Sequence, residues 1–328
     1  ARDAPAVATG SHLDTVPEGG NFDGVVGVVG GLAAVRRLRG AGPRRHPLEV
    51  ICFRGEESAR FSVGTLGSKA MAGLARREAW RTLQDQGGVT LAQALAAEGL
   101  DLERLGECAR RPAELKAFVE LHIEQGPVLE QAGIPVGVVE AIAAPIRLKV
   151  TVEGTAAHSG TTPMGGRRDA LVTAAQVVLA VREEATKRAG RGVVGTAAVM
   201  KVSPGAINVI PGRAELWVDL RGIDAEALAA AQAVRDAVGA IAAREGTPAH
   251  VETLSAETPV PMSAAIMAAI EGACRRRGVA FRRMPSGAGH DAMNMARIAP
   301  AGMIFIPCRD GVSHNPAEHA SLEAICTG

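Results

Sequence analysis

The stretch Leu48-Glu49-Val50-Ile51-Cys52-Phe53 is apolar at nearly every position and stops abruptly at Arg54-Gly55-Glu56-Glu57. A strand with one wet face alternates polar and apolar residues, whereas continuous apolar character suits a parallel sheet covered on both faces. The flanking segments follow the same plan. Pro5 to Ser11 reads as a short buried strand, and Asp23 can cap an apolar helix from Gly24 to about Leu38. Pro47 to Phe53 is then the next strand, Leu66 to Gly106 is mostly helical, and Ala117 to Ile123 is a further strand.

The middle of the chain changes character. Arg147 to Glu153 alternates polar and apolar residues, as a half-exposed strand does. A long helix from about Arg168 to Lys187, strands near Gly195–Val202 and Ala214–Leu220, and an Ala-rich helix from Ala225 to Arg244 follow a β-α-β-β-α-β order. That order fits helices packed on a small antiparallel, ferredoxin-like sheet. From about Glu257 the first style returns, with a helix near Ala264–Arg277, a helix opening at His290 and a strand from Gly302 to Pro307. The expected fold class is α/β: a mixed, mainly parallel sheet domain from residues 1–143 and 257–328, interrupted by an inserted α+β domain at residues 144–256.

The 36 basic residues are scattered among 35 acidic ones, so neither nucleic acid nor a membrane surface is an expected partner. The five cysteines, Cys52, Cys108, Cys274, Cys308 and Cys326, form no C-x-x-C pair and are odd in number. With Cys52 inside an apolar run, buried free thiols in a reducing cytoplasm are expected. The longest apolar stretch, Gly24 to Val35, is Gly-rich and too short to span a bilayer, and no signal peptide is expected. The chain opens at Ala1 without Met and closes at Cys326-Thr327-Gly328 with no clear final helix, so both ends read as truncated.

Chemistry-bearing residues gather where strands end. His12 and Asp14 follow the first strand; His is a common metal ligand, and a nearby carboxylate can orient its ring. Asp23 sits where a helix starts and serves equally as a plain N-cap or as a carboxylate bridging two metals. Glu56 and Glu57 follow the apolar strand, where ligands bind in open α/β sheets, and adjacent carboxylates can divide metal binding and general base work between them. Glu120-Leu121-His122-Ile123-Glu124-Gln125-Gly126 ends another strand, and Ser313-His314-Asn315-Pro316-Ala317-Glu318 follows the last. Each His alone could be structural. Together, three His and two carboxylates make a dinuclear site for zinc or a similar divalent ion.

In chain order, GSHLDTV (10–16), FDGVVGV (22–28), GEES (55–58), ELHIEQGP (120–127), AAHSGTTPM (156–164), SGAGHDA (286–292) and GVSHNPAEH (311–319) resemble the M20 metallopeptidase family. The resemblance is to its carbamoylase and allantoate amidohydrolase branch and runs from about Gly10 to His319. It implies two divalent metal ions per subunit, zinc first and manganese, cobalt or nickel as alternatives. His12, Asp23, Glu57, His122 and His314 would be the ligands, with Asp23 bridging. Glu56 would be the general base, Asp14 the partner of His12, and His158 an oxyanion donor. Arg221, Asn208, Gln125, His290 and the Gly287–Gly289 backbone would meet substrate. Family members carry a further segment before the first motif. The inserted domain would serve as lid and as the surface of a two-fold homodimer, in which its His can complete the neighbour's site. The implied activity is hydrolysis of N-carbamoyl-L-amino acids to amino acid, ammonia and carbon dioxide. Segment Ala143 to Leu148 favours that activity over the runner-up, allantoate or a related ureido acid such as ureidoglycolate. An aminoacylase or peptidase stands third, since ELHIEQGP argues against it. A binding module that has lost catalysis stands last, because no expected ligand or base is missing.

Overall fold

The computed structural model describes residues 4–40 and 42–328. The chain begins with β1 (Ala6–His12), α1 (Val25–Leu38), β2 (Leu48–Phe53), three short helices α2 (Leu66–Met71), α3 (Arg77–Trp80) and α4 (Leu91–Ala97), then β3 (Leu115–Ile123), α5 (Val128–Ala132) and β4 (Val136–Ile142). Next come β5 (Ala144–Glu153), β6 (Ala157–His158), α6 (Ala170–Lys187), β7 (Val194–Ser203), β8 (Val209–Ile210), β9 (Arg213–Gly222), α7 (Ala225–Glu245) and β10 (Ala249–Ala256). It closes with β11 (Val260–Pro261), α8 (Ala264–Arg277), β12 (Phe281–Ser286), α9 (Ala292–Met295), β13 (Ala301–Ile306) and α10 (Leu322–Thr327). Two units result: Ala1–Ile142 with Pro261–Gly328, and Ala143–Val260.

In the first unit the strand order is β11-β4-β13-β3-β1-β2, with β12 paired to β4. Neighbours run parallel from β2 through β1 and β3 to β13, and the step from β13 to β4 is antiparallel. The sheet is therefore mixed and mainly parallel. Successive residues are buried on β4 (Val138, Val139) and on β13 (Phe305, Ile306), as a sheet covered on both faces requires. Helix α1 lies so close to β3 that a Cβ at Gly27 would fall 2.3 Å from the carbonyl oxygen of Leu121. That approach sets the start of α1 against the ends of β1 and β3.

Several segments depart from expectation. Leu66 to Gly106 breaks into short helices because new starts lie inside it: Thr90 forms a capping box with Gln93, and Asp101 caps a 3₁₀ turn over Leu102–Cys108. These pieces share a small core of Phe61, Trp80, Leu91 and Leu102. Strand β12 carries the exposed Arg282 and Arg283, which hid it in the sequence. The chain does close on a helix, α10, where Ser321 Oγ accepts from Ala324 N at 3.1 Å. Cys274 and Cys308 are buried, but Cys52, Cys108 and Cys326 are exposed. Cys52 is exposed despite its apolar run because β2 is the edge strand of its sheet.

The second unit is a four-stranded antiparallel sheet in the order β10-β5-β9-β7, packed against α6 and α7. Ile146, Leu148, Val150 and Val152 of β5 and Ala214, Leu216, Val218 and Leu220 of β9 point to the helices. Val177 and Val181 of α6 and Val234 and Val238 of α7 meet them. Each such buried branched side chain contributes about 1.5–3 kcal/mol. Among the described residues, no helix is long and apolar enough to cross a membrane.

Candidate metal centre

Strands β13, β3, β1 and β2 are consecutive in the sheet and parallel, so their carboxyl ends open at one edge, where ligands bind in such folds. His12 ends β1, His122 is the penultimate residue of β3, Glu56 and Glu57 follow β2, and His314 follows β13.

Asp23 lies at their centre and does not cap α1. The cap position belongs to Gly24, whose φ of 66° is left-handed and which makes no side-chain cap bond. A Cβ at Gly24 would sit 2.5 Å from the His12 ring, so only glycine fits. The Asp23 carboxylate is thereby released for other partners. Oδ1 lies 2.8 Å from Nε2 of His122 and 3.8 Å from Nε2 of His12; Oδ2 lies 3.0 Å from Nε2 of His314. Burial would raise the pKa of Asp23, but hydrogen bonds from His122 and His314 hold it well below the usual carboxylate range.

The histidines are oriented from behind. His12 Nδ1 is 2.8 Å from the carbonyl oxygen of Asp14, and His122 Nδ1 is 2.8 Å from that of Ile123. Donation through Nδ1 holds each ring with Nε2 toward Asp23, the atom left to ligate a metal. Burial opposes a proton on His122, but its hydrogen bond to Asp23 overrides that and raises its pKa to about 9. His314 is raised to about 10 by hydrogen bonds to Asp23 and Glu57.

The expected pairing of Asp14 with His12 runs through the Asp14 backbone, since the nearer carboxylate oxygen is 4.0 Å from Nδ1. That carboxylate instead accepts from Gly55 N and Glu57 N at 3.0 Å each. The Glu57 side chain places Oε1 3.2 Å from Nε2 of His314, and Glu56 places Oε2 3.9 Å from Nε2 of His12. Burial first, then the charges of Asp291 and Glu57, push Glu56 up to about 10.

Two donor groups share Asp23: His12, Asp23 and His122, and Asp23, Glu57 and His314. Oε1 of Glu57 is buried and lies 3.2 Å from Nε2 of His314, so a cation among Asp23, Glu57 and His314 would meet an anionic donor already turned toward it. The nitrogen and carboxylate donors fit divalent zinc or a similar ion at each group.

Other expected residues fall into place differently. Gln125, expected at substrate, donates through Nε2 to Asp23 Oδ2 at 3.0 Å. The His290 ring, also expected at substrate, is only 1% exposed, 4.4 Å from the His122 ring, with Nε2 2.8 Å from Ser286 Oγ. Burial, then the charge of His122, drives its pKa well below 6.5. His290 therefore packs behind His122, while Gly289 is exposed. In the second unit, β6 pairs with β8 and sets His158 beside Val209, and Ser159 N donates to the carbonyl of Asn208 at 2.9 Å. His158 Nδ1 accepts from Gly160 N at 3.0 Å, and Arg221 Nε donates to Asp219 Oδ2 at 2.9 Å.

Sequence reasoning missed two supports. Glu120, fully buried, accepts from Ser11 Oγ at 2.6 Å and from Ala292 N at 2.8 Å, tying β1 and α9 to β3. Glu318 accepts from Phe22 N and Asp23 N, and Ser313 Oγ donates to it. Neither carboxylate carried a spacing signal, because the partners are remote in sequence.

Residues 8–328 match Peptidase family M20/M25/M40. The chain is 46% identical to an N-carbamoyl-L-amino acid amidohydrolase of Geobacillus stearothermophilus over 335 residues, covering 99% of this chain and 80% of that protein. It is 38% identical to the allantoate amidohydrolase of Escherichia coli (strain K12) over 324 residues, covering 98% of this chain and 78% of that protein. The crystal structure of an amidase of the hydantoinase/carbamoylase family from Burkholderia multivorans superposes with a TM-score of 0.88 at 40% identity, covering 98% of this chain and 78% of that one. The chain belongs to Peptidase family M20/M25/M40.

Proposed function

We propose that the chain is a dinuclear metal-dependent amidohydrolase that cleaves the ureido C–N bond of N-carbamoyl-L-amino acids, giving amino acid, ammonia and carbon dioxide. One observation carries the reading: Asp23 turns one carboxylate oxygen to His12 and His122 and the other to Nε2 of His314, the atom that Glu57 also meets. A carboxylate disposed in this way suits a bridge between two cations. The similarity to the Geobacillus enzyme supports the substrate class.

When bound, two divalent cations would supply Lewis acidity toward the attacking water and the carbamoyl carbonyl. Glu56 takes a proton from that water on a carboxylate oxygen and returns it to the leaving nitrogen. Burial raises its pKa most and the negative neighbours add to it; cations would offset those charges and favour the ionised form of Glu56. His158 accepts backbone N–H groups at Nδ1, which keeps the ring proton on Nε2 for a developing oxyanion. Arg221, its guanidinium steadied by Asp219, grips the α-carboxylate of the substrate, with Asn208, Gln125 and the Gly289 backbone as further contacts.

The unit Ala143–Val260 acts as lid and dimerisation domain. Strand β7 lies at the edge of its sheet and exposes Val194, Val199 and Met200, and α6 exposes Leu171, Val172 and Leu179, a surface suited to a second copy. The free cysteines fit a reducing cytoplasm.

Allantoate is the second reading, favoured by the 38% identity to the Escherichia coli enzyme. One assay separates them: ammonia release from a panel of N-carbamoyl-L-amino acids, allantoate and ureidoglycolate, with zinc, manganese, cobalt or nickel restored to chelated protein. Preference for N-carbamoyl-L-amino acids is expected. Turnover of allantoate alone would replace the substrate assignment, and full activity in protein shown by elemental analysis to hold no metal would end the mechanism.

A further inference from the structure

The two donor groups around Asp23 are not built alike. His12 and His122 belong to β1 and β3, and their side chains are 2% and 1% exposed. His314 stands on a loop after β13, its side chain is 48% exposed, and its φ of 54° is left-handed. A non-glycine residue in that region persists only where surrounding contacts enforce it. One residue supplies such contacts. Glu318 is 4% exposed, and its Oε1 accepts from both Phe22 N and Asp23 N at 2.9 Å. Its Oε2 accepts from Ser313 Oγ at 2.8 Å. Its own amide closes the loop by donating to the Asn315 carbonyl at 3.0 Å. A single carboxylate thus joins the backbone of Asp23 to the residue before His314. Space for it is kept by Gly20, where a Cβ would lie 2.3 Å from Glu318 Oε1.

We propose that Glu318 is a positioning residue that sets the distance between Asp23 and His314, so that removing it loosens the cation held by Asp23, Glu57 and His314 and spares the one held by His12, Asp23 and His122. The proposal rests on the reading of Asp23 as a bridge. Strand-borne histidines hold the first group without help from Glu318. The loop-borne histidine of the second group has no strand to hold it; besides Glu318, Gln125 Nε2 lies 3.3 Å from Ser313 Oγ and 3.4 Å from His314 Nε2. Ser313 is drawn toward Glu318, and the same hydroxyl lies 3.5 Å from Asp23 Oδ2, so the loop and the bridging carboxylate are fixed together.

The test is cobalt and zinc titration of the chelated protein, with metal counted by elemental analysis after dialysis against a competing chelator. Wild type retains two ions per subunit. Glu318→Ala retains one, and its second site weakens about 10–100-fold, the usual effect of losing a group that orients a ligand. Glu318→Gln keeps an acceptor oxygen for the Phe22 and Asp23 amides and restores most of the second-site affinity. Gly20→Ala sets a methyl group 2.3 Å from Oε1 and 2.4 Å from Cβ of Glu318, displaces that side chain and reproduces the Glu318→Ala defect. Should Glu318→Ala fail to fold, judged by circular dichroism, the Gly20→Ala and Glu318→Gln titrations decide the matter. Retention of both ions at wild-type affinity in Glu318→Ala or Gly20→Ala overturns the role of Glu318 alone, as does equal weakening of both sites. A wild-type protein that binds fewer than two ions overturns the bridging reading and this proposal with it.

Discussion

The amide of Glu57 donates to Oδ2 of Asp14 at 3.0 Å. With the neighbouring bond from Gly55 N, this ties the loop after β2 to the end of β1 and fixes which way each of the two adjacent glutamates points. Glu57 faces His314 and Glu56 faces His12. Division of labour follows from that placement. Glu56→Gln should keep both metals and lower kcat on the order of a hundredfold or more, the contribution of a lost general base. Glu57→Gln should instead weaken metal retention. Elemental analysis beside steady-state kinetics checks both, and the opposite pattern would exchange the two roles.

A second prediction concerns protons. Against its burial, Asp23 raises His122 to about 9, and hydrogen bonds to Asp23 and Glu57 raise His314 to about 10. A cation must displace those protons, and Glu56, raised to about 10 without metal, gives up another on ionising, so metal uptake at pH 7–8 should release on the order of three protons per subunit. Calorimetry in buffers of different ionisation enthalpy measures the number, and uptake without release would contradict the ligand set. The same shifts fix a sign for stability. Both folded values lie above the ordinary 6.5. Their contribution is full below about pH 6.5 and is lost as pH rises through 9 to 10. The Tm of chelated protein should therefore fall over that window, and the fall should shrink once metal replaces the protons.

How far the sequence disclosed this site depends on how local each contact is. His12 and His122 were legible because a continuous apolar strand must end, and its end is where such sheets bind ligands. Asp23 was ambiguous, since capping and metal bridging favour the same residue type; the structure removes the capping role by giving that position to Gly24. His290 sits in a motif that points to substrate, yet its ring is packed behind His122, a consequence of where β3 and the start of α9 meet. The role of Glu318 is hidden in the sequence because its partners, the amides of Phe22 and Asp23, lie almost a whole chain away. The exposure of Cys52 was hidden for a related reason. An apolar run reveals a strand, but only the sheet order reveals that β2 is at the edge.

Arg221 supplies a third prediction. Its Nε is engaged by Asp219 on the same strand, two residues away, which orients the planar group. A guanidinium so placed discriminates by charge and by its fork geometry. Arg221→Ala should reduce kcat/KM for substrates with a free α-carboxylate far more than for the corresponding amides, with a gap of at least about tenfold for a charge-assisted pair. Paired measurements on an N-carbamoyl amino acid and its amide supply the comparison. Equal loss on both would mean that Arg221 serves only to hold Asp219.

The last prediction concerns which subunit His158 serves. It lies in the unit Ala143–Val260, which contributes none of the five expected metal ligands, and its side chain is exposed. In a symmetric dimer formed through that unit, each subunit gives its partner whatever it receives, so a His acting across the interface would complete both sites at once. We expect His158 to act in the partner's site. The measurement mixes two inactive variants, Glu56→Gln and His158→Ala, under conditions that exchange subunits. In a mixed dimer the His158→Ala subunit keeps its own Glu56 and receives an intact His158 from its partner. That site works, while the other lacks both groups. With equal amounts and random pairing, about half the dimers are mixed and half of their sites are competent, so roughly a quarter of wild-type activity should return. Activity that stays at the level of the separate variants, with exchange verified by a mass or affinity tag, would place His158 in its own subunit's site or outside the reaction. A recovery near a quarter is out of reach of a His158 acting in its own subunit, because no chain in the mixture carries both Glu56 and His158.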